Sequence, residues 1–81
     1  MRVDQFLSKT LLIKQRSAAK ILCDKQLVRI NGQYAKPSKH VEIADIIGIE
    51  TPNGVKQYKV LMIPTGNLKK ADRDLCYEEI F

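Results

Sequence analysis

The chain has no tryptophan, one histidine and two cysteines, and its aromatic residues amount to 6% of 81 positions. Each scarcity removes a class of function. Too few aromatics are present to build a stacking platform for single-stranded bases, which needs several exposed rings. Cys23 and Cys76 stand far apart with no CxxC spacing, and His40 is the sole imidazole, so a four-ligand zinc site within one chain is not expected. The two cysteines read as separate, partly buried thiols of a reducing compartment rather than as a disulfide. No apolar run approaches the ~18–20 residues that span a bilayer, and Asp4 falls where a signal peptide would begin its apolar stretch. No membrane association is expected, and a cytoplasmic location is. Internal repeats, low-complexity tracts and linkers rich in Gly, Pro or Ser are also missing.

What is present is charge, distributed unevenly. Residues 1–40 hold nine Lys or Arg against two Asp, a net of +7. Residues 41–81 hold five Lys or Arg against seven Asp or Glu, a net of −2. A one-sided positive field is what counterion release from a nucleic-acid backbone rewards. Hydrophobic content of 44% and charged content of 28% lie in the globular range, which argues against disorder.

Length permits one domain, 1–81, with a modest core. Val3, Phe6, Leu7 and Leu11 recur at helical spacing and predict a first helix over roughly 4–12, with Asp4 as N-cap or first-turn acid. A second helix begins near Ser17, whose hydroxyl is placed to cap it, and buries Ala19, Leu22 and Cys23. Beyond Gln26 the pattern changes: Val28 and Ile30 alternate with Arg29, and Asn31-Gly32 is a strong hairpin dipeptide. Val41 and Ile43, then Ile46 to Glu50, read as strands. Pro52-Asn53-Gly54 makes a second turn, and Val55 to Ile63 the longest strand. The plan is α+β: two N-terminal helices packed on a small bent antiparallel sheet, with a short C-terminal helix or arm. Residues 1–50 carry the basic motif, 51–67 an added hairpin strand, and 68–81 an acidic tail expected to be helical through Leu68, Ala71 and Leu75.

The candidate binding residues follow from this layout. Arg16 and Lys20 lie one turn apart on the second helix, on the side away from Ala19 and Leu22, and a guanidinium fork suits phosphate. Arg2 and Lys9 fall at nearly one azimuth on the first helix. If the helices pack side by side, Arg2, Lys9, Arg16 and Lys20 form a strip. Lys25, Arg29 and Lys36 flank the Asn31-Gly32 turn, and Lys36-Pro37-Ser38-Lys39 sets two cations and a hydroxyl on a stiff loop.

The order Arg2-x-Asp4-x-Phe6-Leu7, Lys14-x-Arg16-Ser17-x-Ala19, Val28-x-Ile30-Asn31-Gly32, Lys36-Pro37-Ser38-x-x-Val41 and Asp45 resembles the RNA-binding domain first known from ribosomal protein S-four. The resemblance covers about residues 1–50. It implies two helices on a small bent sheet, docking on structured RNA through Arg2, Arg16, Ser17, Lys20 and the Asn31 to Ser38 segment, with Lys14 in the motif. Gln26 stands where the family usually ends its second helix with glycine, and Ala44 where a glycine usually precedes Asp45. Altered backbone angles are expected at both. Other members attach this domain to a catalytic one. With only about thirty residues beyond the motif, a stand-alone member is expected here. The resemblance is strongest to small ribosome-associated members, among them heat-shock and quality-control proteins. These are understood to bind large ribosomal subunits blocked by a peptidyl-tRNA and to hold that tRNA while the stalled chain is extended or cleared. The partners it implies are ribosomal RNA, tRNA and the large subunit, with the chain as a monomer.

No nucleophile–base–acid set, P-loop or GxGxxG is present, so neither an enzyme nor a cofactor is expected. The alternative is a DNA-binding helix-turn-helix regulator, although base-reading side chains are sparse over 17–25. A third reading is a protein adaptor acting through the acidic tail.

Overall fold

Val3, Phe6 and Leu7 form the buried side of a first helix, α1 (Val3–Lys9), in the computed structural model, which describes residues 1–64 and 70–80. Asp4 in its first turn and Lys9 in its last complement the helix dipole. The helix stops at Lys9 instead of running to residue 12. Thr10 Oγ1 donates to the Phe6 carbonyl at 2.8 Å, and Leu11 turns left-handed at φ 59°. The second helix, α2 (Arg16–Asp24), starts one residue ahead of the expected cap. Gln15 is the extended residue before it, and the Ala19 amide reaches the Gln15 carbonyl at 3.1 Å. Ser17 is therefore inside the first turn, not capping it. At the other end the Gln26 amide donates to Cys23 and the Leu27 amide to Leu22, a Schellman motif whose left-handed residue is Gln26 at φ 61°.

Among the described residues five antiparallel strands follow, β1 (Val28–Ile30), β2 (Gln33–Tyr34), β3 (Ile46–Thr51), β4 (Gly54–Val60) and β5 (Tyr77–Ile80), in the order β2-β1-β3-β4-β5. Asn31 and Gly32 take φ 53° and 84° and close β1 onto β2 as a two-residue hairpin with Ile30 opposite Gln33. Val28, Ile30, Ile47, Ile49 and Val60 face the helices and meet Val3, Phe6, Leu7, Ala19 and Cys23 in one core. Arg29, Gly48, Gln57 and Ile80 are in register on the opposite face.

Three expected elements differ. Residues 41–45 are a turn, not a strand: Asp45 Oδ2 accepts the Glu42 amide at 2.8 Å, Ala44 is left-handed at φ 76°, and Ile43 is 64% exposed. A ladder cannot pass through amides already used this way. Strand β4 ends at Val60, short of Ile63, because the Leu61 and Met62 amides both converge on the Cys76 carbonyl. The acidic tail, expected to be helical, gives only a 3-10 turn over Lys70–Leu75 before β5. Tyr77 packs edge-on to Tyr58, ring centroids 5.6 Å apart, and Glu78 sits opposite Lys59. That cross-strand match outweighs helical spacing. Leu68 lies outside the described residues. Gln26 and Ala44 do adopt the unusual backbone angles expected of them.

Both cysteines are free and buried. Burial pushes the Cys23 thiol up to about 11, with Asp4 and Asp24 adding to it, and burial also raises Cys76, with Asp72 a smaller cause. Relative to a thiol at the ordinary 9.0, Cys23 has about a hundredfold smaller thiolate fraction at pH 8. Titration of the native protein with a thiol–disulfide reagent at pH 8 is expected to be slow at both positions, with both thiols released at once in denaturant. Gln26→Gly is expected to stabilise the fold by roughly 0.5–1 kcal/mol, since relief of the left-handed strain exceeds the added chain entropy. A higher urea midpoint at unchanged slope would show it.

Candidate nucleic-acid interface

Asp4 organises the basic face from beneath. Its side chain is only 2% exposed, and a buried carboxylate must be paired. Oδ1 accepts the Gln5 amide at 2.7 Å, while Oδ2 lies 3.1 Å from Arg2 Nη2 and 3.5 Å from Arg16 Nε. One oxygen atom thus holds two guanidinium groups from two elements. Arg2 and Arg16 nevertheless stay 41% and 50% exposed, so each keeps N–H groups turned to solvent. The carboxylate offsets one of the two positive charges and fixes both guanidinium groups in place.

Backbone bonds then bring the loop of residues 35–40 to the same spot. The Val3 amide donates to Lys39 at 2.7 Å, Asp4 to Pro37 at 3.3 Å, and Val41 to Met1 at 2.8 Å. The Lys39 amide closes a turn on Lys36 at 3.0 Å. This lacing sets Arg2 beside Lys36-Pro37-Ser38, across from α2. The result is a cleft of about 640 Å³ lined by Arg2, Lys20, Lys36 and Ser38 together with Asp24, Gln26 and the buried Cys23. Cations sit on both of its walls, which is a geometry that a phosphate backbone can enter.

Of the residues singled out from the sequence, Arg2, Lys20, Lys36 and Ser38 therefore share the cleft, and Arg16 joins them through Asp4. Ser17 follows Arg16 on α2 and is exposed. Lys9 and Lys14, at the end of α1 and in the connection to α2, are not among the cleft-lining residues. Lys25 is exposed just past α2.

Arg29 and Asn31 are engaged inside the protein. Arg29 Nη2 reaches Glu50 Oε1 at 3.1 Å and Tyr34 Oη at 3.0 Å, and its guanidinium carbon lies 4.7 Å from the Tyr34 ring centre. Asn31 Nδ2 donates to Asp45 at 3.0 Å, and its Oδ1 accepts the Ile46 amide at 2.9 Å. Its side chain ties the first hairpin to the start of β3. Sequence reasoning missed three features of the interface. Asp4 as an anchor was hinted at by an acid two residues from Arg2 in a basic half. Asp24 was not singled out, and Gln26 was marked only as the residue standing in a glycine position, without a place in the cleft.

Comparison with known proteins matches a family model described as the S4 domain to residues 1–47. A Helicobacter pylori protein (strain J99) named RQC P-site tRNA stabilizing factor is 40% identical over 76 residues, 93% of this chain and 90% of that protein. A Streptococcus pneumoniae protein (strain R6) of the same name is 35% identical over 80 residues, 99% of this chain and 90% of its own length. The trimeric structure of Vibrio cholerae Heat Shock Protein 15 superposes with a TM-score of 0.87 at 30% identity, covering 99% of this chain and 81% of that one. The family model covers more than half of the chain and the fold matches that of the Vibrio structure, so the chain belongs to the S4 domain family.

Proposed function

We propose that the chain is a non-catalytic RNA-binding protein of the cytoplasm that docks on structured ribosomal RNA or tRNA at the large ribosomal subunit and acts there on stalled nascent chains. The observation that carries this reading is the pair of half-exposed arginines held by one buried carboxylate at the head of a cation-lined cleft. Arginine forks positioned in advance grip phosphate with little further ordering. The names of the relatives, which speak of a P-site tRNA and its stabilisation, support the same partner class. All of the gripping side chains come from one copy, so a monomer suffices for the contact, although the Vibrio relative is described as trimeric.

The mechanism is electrostatic docking with shape recognition: Arg2, Arg16 and Lys20 hold phosphates while the Lys36 to Ser38 loop follows the contour of the groove. A helix-turn-helix regulator fits less well, because α2 forms one wall of the cleft with that loop opposite it, and a helix so flanked is poorly placed to enter a DNA major groove. For the adaptor reading, the tail is built into the sheet, β5 being paired along one edge to β4.

Arg16→Ala with Lys20→Ala is expected to weaken binding to structured RNA across sequences and to lower the log–log salt slope by roughly 0.7–0.9 for each phosphate no longer neutralised. In sucrose gradients of cell extract, the unaltered chain should travel with large subunits and the double variant should stay near the top. Unchanged affinity and slope in the double variant, or tighter binding of duplex DNA than of structured RNA at equal salt, would reject this site. Asp4→Ala gives a test of sign. It raises the net charge from +5 by one, yet is expected to weaken RNA binding and to cost about 1–3 kcal/mol of stability, because both arginines lose their anchor. Titration calorimetry and urea unfolding measure the two effects. Tighter binding by Asp4→Ala would mean that bulk charge rather than placement sets affinity.

A further inference from the structure

We infer that the cleft between α2 and the 35–38 loop receives one unstacked guanine of the bound RNA, with Asp24 accepting from its Watson–Crick edge and Gln26 beside it. This rests on the RNA-docking reading and names what the same cleft selects. The starting point is that two of its lining residues each carry a local cost to stability. Asp24 is an acid in the last turn of α2, a turn with no basic residue, where the helix dipole disfavours negative charge. It has no ion pair or side-chain hydrogen bond among the described residues, and it stands in a groove otherwise rimmed by Arg2, Lys20 and Lys36. A phosphate-binding groove gains nothing from a carboxylate.

Gln26 is the second anomaly. It holds the left-handed position of the Schellman motif, which glycine occupies without strain, and its side chain lines the same cleft. Strain kept at a binding site is a sign of use. An exposed carboxylate amid cations does have a role if a base enters between the phosphates. A carboxylate is acceptor-only, and of the four bases only guanine offers it two adjacent donors, N1–H and the N2 amino group. Structured RNA is read in this way, through splayed bases whose Watson–Crick edges are free. A cleft of about 640 Å³ has room for one nucleotide. Glutamine, with both a donor and an acceptor, adds a contact that glycine cannot.

The experiment uses the full chain and five RNA hairpins that are identical except for a single bulged G, A, C or U, or no bulge. Affinities are measured over a range of salt. The bulged-G hairpin should bind about tenfold more tightly than the others. Asp24→Asn should erase that preference with the salt slope unchanged, and Gln26→Gly should reduce it although the variant folds more stably. Pure electrostatics predicts the opposite for Asp24→Asn, tighter binding to all five hairpins alike, and that result overturns the inference. So does equal binding of all five by the unaltered chain with its salt slope intact, a preference for another base, or full retention of the preference by both variants. Failure to bind any of the hairpins would instead overturn the RNA-docking reading beneath it.

Discussion

A single buried carboxylate sets the geometry of the basic face. Asp4 cannot remain charged in the interior without partners, and the groups that satisfy it are the guanidiniums of Arg2 and Arg16. Those two residues lie fourteen positions apart in the sequence, one ahead of α1 and one at the start of α2. Each of them, left to itself, would be a long, mobile side chain on a small protein. Anchored to one oxygen, they lose much of that freedom during folding, so less is left to lose when a ligand arrives. The same logic extends to the backbone. The amides of Val3, Asp4 and Val41 stitch the chain's first residues to the 37–41 segment, and the loop that carries Lys36 and Ser38 is fixed by the same contacts that fix Arg2.

Much of this could be read in the residues themselves. Periodicity found both helices, and Asn31-Gly32 and Pro52-Asn53-Gly54 marked the two hairpin turns where the strands reverse. The basic positions that gather in the cleft stood out as a charge imbalance. What spacing could not reveal was competition for backbone groups. Val41-Glu42-Ile43 has an alternation suited to a strand, but the Asp45 side chain captures the Glu42 amide. The tail has helical spacing, but an open edge of β4 and the Tyr58 ring offered Tyr77 a better arrangement. Nor can a local pattern tell a solvated cation from an employed one. Arg29 and Arg16 look alike in the sequence, and only the fold commits the first to Glu50 and Tyr34 while leaving the second half free.

The two faces of the sheet divide the work. On one, apolar residues of β1, β3 and β4 support the helices and so hold up the cleft. On the other, the Arg29, Tyr34 and Glu50 group stiffens the short β1–β2 hairpin that leads into the 35–38 loop. Asn31 secures that hairpin from its tip by bonding to Asp45 and Ile46. Arg29 and Asn31 are thus part of the frame. Among the described residues, four non-glycine positions in left-handed conformations, Leu11, Gln26, Asn31 and Ala44, mark sharp bends of this small frame.

The placement of β5 also bears on how copies of the chain behave in a crowded solution. Among the described residues it is the outermost strand, and the outer edge of such a strand is the kind of border along which sheets of neighbouring molecules fuse into aggregates. Glu78 and Glu79 occupy the middle of that border. A second copy approaching antiparallel would bring carboxylates against carboxylates, and the repulsion would discourage growth of the sheet beyond five strands.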